Sequence, residues 1–267
     1  MKYWFIRLSN VKYLSGVFVG LLLISIHIFL DMVPRTHYLD GINLLHIPST
    51  AWIGNDFSGG YSMLFYFLLP LFSALGANLI VFEDKQDGYF LRFLQKRSIT
   101  KYSLSTFSIS FFSGFLISFI PLGLNLLIAL ALFPNIAPDA LLNSNLGVST
   151  SSTYFSQLFF SNPYLLIFFY MVMTGCLSAL CSCVSATISL YTKNIYTAIS
   201  SGFLIVLVMT ILSYVLPTIV YSPVFILIEL SPVQQLPHLS IVMAIYFIIL
   251  CLSFYYFIKG VKKNGVI

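Results

Sequence analysis

Residues 103–133 read SLSTFSISFFSGFLISFIPLGLNLLIALALF, and no charged residue interrupts them. A helix needs about 20 apolar residues, each rising about 1.5 Å, to cross roughly 30 Å of hydrocarbon. This run is longer than that. In lipid an isolated span must bond every backbone donor and acceptor within itself, which makes it helical. Alternating strands of about ten residues, the mark of a transmembrane barrel, do not occur. The excess length predicts either tilt or ends that project into water. Pro121 lacks a backbone donor, so a bend is expected there.

Outward from this run, comparable stretches lie at 13–33, 61–82, 163–192, 195–216 and 239–258. The expected fold class is therefore an all-α membrane protein, a bundle of six transmembrane helices forming one domain over 1–267. Composition agrees. Of 267 residues 59% are hydrophobic and 8% charged, and the mean hydropathy is +0.95. A soluble domain of that balance would carry an apolar surface almost everywhere. The first run follows Lys2, Arg7 and Lys12 but is too long for a signal peptide. Asp31, Pro34 and Arg35 follow it in place of a small-x-small cleavage site, so it reads as an uncleaved anchor.

Lys and Arg set the expected orientation. If the N-terminus, the 83–102 loop, Lys193 and the C-terminus share one side, that side holds every basic residue except Arg35. The positive-inside rule then places both termini in the cytoplasm of a multi-pass plasma-membrane protein, and an even number of spans agrees. The net charge of +5 is spread along span flanks rather than gathered on a solvated, aromatic-interleaved face. No nucleic-acid partner is expected. The expected partners are membrane lipid and other subunits. Cys176, Cys181, Cys183 and Cys251 lie inside apolar runs, which suits buried thiols and neither zinc nor disulfides.

Three outer segments remain, at about 34–60, 134–162 and 217–238. In the last, Ile219–Leu230 is apolar apart from Tyr221, Ser222 and Glu229, yet too short to span. Pro217, Pro223, Pro232 and Pro237 bracket and interrupt it. A re-entrant or interfacial segment fits that pattern, and so does an apolar loop packed on the bundle.

The stretch EDKQDGYFLRFLQKRS, residues 83–98, lies on the expected cytoplasmic side. Phe90, Leu91, Phe93 and Leu94 fall on one helical face, with Arg92, Gln95 and Lys96 on the remainder. That describes a short amphipathic helix at the inner surface, with Gly88 letting the chain turn as it leaves the second span. A plain basic loop that only fixes topology is the other reading.

Taken together, several motifs resemble the ABC-2 type transporter permeases, in particular a subgroup common in Gram-positive bacteria. The first is Glu83-x-x-x-Asp87-Gly88, then Leu91-x-x-Leu94, the basic Arg97 and Tyr102. The others are Phe65-Tyr66-Phe67-Leu68-Leu69-Pro70-Leu71, Phe133-Pro134, and Asn162-Pro163-Tyr164. Many members of that family carry Pro where this chain has Arg97. The resemblance implies a permease subunit of an ATP-driven exporter. Its coupling helix docks on a cytoplasmic ATP-binding subunit through Glu83, Asp87, Gly88, Leu91, Leu94 and Arg97, and a second copy or a related permease completes the pathway. ATP and magnesium would sit on the partner. This chain has no G-x-x-x-x-G-K-[ST] loop: Gly260 and Gly265 have the spacing, but Val266 and Ile267 follow. No cofactor of its own is expected.

Small residues let helices approach in lipid. Gly16-x-x-x-Gly20 is a candidate dimer or intrachain face, and Gly175, Ala179, Cys183 and Thr187 form a stripe at every fourth position. Polar groups inside spans are costly. His27 and Asp31 are placed to pair, while Asn78 and Asn125 are candidates for lining a pathway or for cross-bonding helices. No catalytic constellation such as HExxH or G-x-S-x-G occurs, so an enzyme is not expected. The aromatic content of 17% suits an amphipathic or hydrophobic cargo such as a peptide, bacteriocin or drug. The alternative function is an ATP-independent six-span carrier, or a membrane assembly or immunity factor.

Overall fold

The structure is a computed structural model and describes residues 11–39, 46–55, 60–76, 78–88, 98–139, 148–216, 221–231 and 235–265. These residues form helices and connections, with no strand among them. Helix α1 (Val11–His27) continues through a π-helical turn, Ile28–Met32, and two short turns to Tyr38. Then come α2 (Pro48–Ala51), α3 (Gly60–Ser73), α4 (Asn78–Gln86) and α5 (Ile99–Leu132). After them follow α6 (Ser156–Ser161), α7 (Pro163–Ser189), α8 (Ile195–Val215), α9 (Pro223–Leu227) and α10 (Leu239–Gly265).

Five helical stretches are long and apolar enough to cross a membrane: Leu14–Tyr38, Ile99–Leu132, Pro163–Ser189, Ile195–Val215 and Leu239–Asn264. Their starts obey local chemistry. Asn162 Oδ1 accepts from Leu165 N at 3.3 Å and Pro163 fills the first helical position. Asn194 Oδ1 caps α8 through Tyr196 N, and Ser98 Oγ caps α5 through Lys101 N. Helix α5 runs unbroken through Pro121.

The stretch 61–82, expected as one span, is not one continuous helix. It is two helices, α3 and α4, parted at Ala74–Gly76. Ala74 N and Leu75 N bond to carbonyls three residues back, at Leu71 and Phe72. Pro70 cannot donate to the preceding turn, and Ser73 Oγ donates back to Pro70 O at 3.0 Å. Gly76 approaches α5 so closely that a Cβ would lie 2.6 Å from Ser113 Oγ and 2.7 Å from Ile117 Cδ1. The break frees Leu75 O, and Ser15 Oγ of α1 donates to it at 3.2 Å. The freed carbonyl is thus satisfied by another helix.

Helix α7 is the axis of the bundle. In its most apolar window 72% is buried, against 17% to 39% for the other four stretches. It packs on α3, α4, α5, α8 and α10. Its hydroxyls bond to backbone carbonyls of its neighbours: Ser178 Oγ to Gly114 O of α5 at 2.6 Å, Ser185 Oγ to Ala198 O of α8 at 2.6 Å, Thr187 Oγ1 to Ser253 O of α10 at 3.2 Å. Helices α8 and α10 expose Leu204, Ile205, Val208, Phe247, Ile248 and Leu252. Such faces are at home against acyl chains.

The two ends of the bundle differ. At one end Lys85, Lys193 and the last turns of α10 gather, with the start of α5 beside them. The other end is capped. Arg35 Nη1 reaches Thr50 O at 3.5 Å, Ser231 N reaches Ser152 O and Leu236 N reaches Ser151 O. The apolar part of the 217–238 segment forms α9, whose Val224, Phe225, Ile226 and Leu227 are all buried. Among the described residues it packs on α3, α7 and α8 as part of this cap.

Candidate functional site

At the lysine-bearing end three chain segments meet: α4, the tight 190–194 turn after α7, and the end of α10. The last carbonyls of a helix have no partner within it. Here Lys85 Nζ donates to Leu190 O at 2.7 Å, Thr192 O at 3.0 Å and Ser189 O at 3.4 Å. Asn264 Nδ2 also donates to Leu190 O, at 3.0 Å. A cation at a helix C-terminus is favoured by the dipole as well as by these bonds. Burial lowers the Lys85 pKa, and the nearby Lys193 and Lys263 lower it further. One residue earlier, Asp84 is buried and accepts from Tyr102 Oη of α5 at 3.1 Å. Helix α4 is thus bonded to α5 on one side and to α7 on the other. Lys85→Met leaves three carbonyls without this donor. We expect a loss of about 1–3 kcal/mol, read as a lower melting temperature in detergent, with Lys85→Arg closer to the parent.

Beside this junction lies a notch of about 580 Å³, with Glu83, Gln86 and Asp87 on one wall and Lys193, Asn194 and Ile195 on the other. Glu83 and Asp87 are one turn apart, and Asp87 N donates to Glu83 O at 2.9 Å. Gly88 follows with φ +64, a left-handed conformation that ends the helix and turns the chain. Of the residues assigned to coupling by resemblance, Glu83, Asp87 and Gly88 therefore stand together at the edge of the notch. Leu91, Leu94 and Arg97 lie outside the described residues.

The packing candidates are brought into contact. A Cβ on Gly16 would lie 2.5 Å from Phe72 O, and one on Gly20 would lie 2.8 Å from Pro121 Cγ. That face of α1 is occupied by the chain's own α3 and α5. Gly175 lies under the Phe115 ring, and Ala179 faces Gly114. Asn78 opens α4. Asn125 is fully buried and cross-bonds: its Oδ1 accepts from Ile53 N at 2.8 Å, while Nδ2 reaches His27 Nδ1 at 3.0 Å and Met32 Sδ at 3.5 Å. His27 Nε2 stands 3.4 Å from Asp31 Oδ2, and Arg35 Nη2 is 2.7 Å from the same oxygen.

Sequence reasoning missed two groups. One is Lys85 as a helix cap. The other is Glu229 in the cap, which is fully buried. Its Oε2 accepts from Trp52 Nε1 at 2.8 Å and its Oε1 from Asn55 Nδ2 at 3.2 Å. Its backbone joins the cap as well: Glu229 N donates to Gly54 O and Thr153 Oγ1 donates to Glu229 O. Burial pushes the carboxyl up to about 8, against the opposing pull of Trp52 and Asn55. A lone acid inside an apolar, proline-bracketed segment was the available signal.

No family model, no curated protein and no solved structure matches the chain.

Proposed function

We propose that this chain is the membrane subunit of an ATP-driven exporter, powered by a separate cytoplasmic ATPase that carries the ATP and magnesium. The observation that supports the reading is the bonding of α4 to α7. A partner pressing on residues 83–97 would load the Lys85 cap and so move α7, the helix at the axis of the bundle. Rigid-body transmission of that kind needs a firm joint at the load point, and three bonds from one ammonium provide it. The acidic wall of Glu83 and Asp87 would set register against a basic partner groove. The order of motifs along the chain supports the same family. In this reading α3 and α4 together make a sixth, discontinuous crossing, and the lysine-bearing end is cytoplasmic. A second permease, identical or related, completes the pathway, and the cargo is amphipathic or hydrophobic.

The test is purification in mild detergent followed by transport in sealed vesicles. Co-purification of an ATPase subunit, and transport that needs ATP, is the expected result. Deleting Gly88 to Leu94 should then leave ATP hydrolysis running while export stops. A chain that purifies alone and transports without ATP would overturn the proposal.

The broken α3–α4 crossing favours a second reading. Broken helices at membrane depth occur in ATP-independent carriers, where they line the substrate site. The α3–α4 break would serve that role. Transport driven by an ion gradient in ATP-free vesicles, abolished by Gly76→Leu, is the outcome that reading requires.

A further inference from the structure

Between helices α7 and α10, in their halves nearer the lysine-bearing end, lies a groove of about 530 Å³. Val184, Thr187 and Ile188 form one wall, and Ile249, Leu252 and Ser253 the other. Its lining is almost wholly apolar, and two of its hydroxyls are already used. Thr187 Oγ1 donates to Ser253 O across the floor, and Tyr191 Oη donates to Tyr256 O at 2.7 Å across the rim. What the groove offers is therefore hydrocarbon. From Ile249 to Tyr256 it runs for seven residues, about 10 Å along the helix.

Its mouth is cationic. Residues three and seven positions after Tyr256 continue the same helical face, and they are Lys259 and Lys263. Both are exposed. Lys193, two residues beyond Tyr191, is exposed nearby, but it also borders the notch that holds Glu83 and Asp87. Lys85 is engaged by the α7 carbonyls. Lys259 and Lys263 are thus the cations that continue the groove.

We propose that this groove binds one anionic phospholipid. An acyl chain lies between α7 and α10, and the phosphate sits beyond the tyrosine rim on Lys259 and Lys263. An apolar slot inside the hydrocarbon that ends in paired ammonium groups at the interface matches a lipid in both its parts. A soluble phosphate matches only the mouth, and a neutral lipid only the slot. The proposal needs the chain to span a membrane and does not depend on an ATPase partner.

The test uses the full-length chain in detergent, with retained lipid measured by native mass spectrometry after exposure to phosphatidylglycerol or phosphatidylcholine of matched acyl chains. Phosphatidylglycerol should be retained on the order of tenfold more strongly. The double variant Lys259→Gln/Lys263→Gln should remove that preference and leave phosphatidylcholine unchanged. Both positions are exposed, so the variant should keep its size-exclusion profile. Leu252→Trp, which fills the groove from an exposed position, should lower retention of both lipids. Equal retention of the two lipids by the parent overturns the proposal. So does a preference that survives the lysine substitutions, or a Leu252→Trp variant that retains lipid like the parent.

Discussion

Replacing Glu229 by Leu should cost about 2–6 kcal/mol, because two buried donors, Trp52 Nε1 and Asn55 Nδ2, lose their acceptors together. Each stranded donor carries a penalty of about 1–3 kcal/mol. Glu229→Gln should behave differently. Asn55 Oδ1 has no hydrogen-bond partner among the described residues. With the Asn55 amide turned over, the introduced glutamine amide can accept from Trp52 and donate to Asn55 Oδ1. The protonated acid can make the same two bonds. The two variants therefore separate loss of bonding from loss of charge.

The same site predicts the sign of a pH dependence. The Glu229 carboxyl sits at about 8 in the fold, above its ordinary value of 4.5. Between those values the folded chain holds a proton that the unfolded chain has released. The contribution of this group to stability is therefore full below about pH 4.5 and is lost as pH rises from there through 8. In Glu229→Gln this decline should vanish, so the variant should melt higher than the parent at pH 8.5. Thermal unfolding in detergent across pH 5 to 9 reads both effects. A parent and a Gln variant with parallel profiles would sink the assignment of Glu229 as a buried, neutral acid.

Gly114→Leu should be comparably severe. A Cβ there would meet Ser182 Cβ at 2.6 Å, Ala179 Cα at 2.9 Å and Ser178 O at 2.9 Å. Two of these contacts are α7 backbone, which cannot rotate aside. Helices α5 and α7 must separate, and the Ser178 bond to Gly114 O goes with them. The expected loss is about 3 kcal/mol or more, at the upper end for overpacking. Gly123 lies on the same helix, but a Cβ there meets only Met171 Cε, at 3.6 Å. Gly123→Ala should be neutral or slightly stabilising, since glycine inside a helix is about 1 kcal/mol worse than alanine. Equal melting temperatures for Gly114→Leu and Gly123→Ala would refute the close α5–α7 contact.

Particular residues mark how far the sequence could be read. The small-residue stripe on α7 was legible as a packing face because periodicity alone fixes which positions share a side. Its partners were not legible, because Gly114, Phe115 and Ser253 lie far away in sequence. The second apolar stretch looked continuous, since hydropathy averages over a window and does not register where turn bonds replace helical ones. Asn125 was visible as a costly polar group. That it ties Ile53 to His27 depends on a loop whose path composition does not specify.

The amino-acid order by itself determined that the chain is helical and membrane-embedded, and to within about a turn where its five long apolar helices begin; the first and last run five and six residues beyond their expected ends. Those properties depend on local length, apolarity and capping, each of which acts within one segment. The tertiary structure alone decided that α7 is the axis, that Lys85 holds its end and that Glu229 is buried in the cap. Each of these joins groups from segments distant in the chain, and their energies come from three-dimensional proximity that no single stretch encodes.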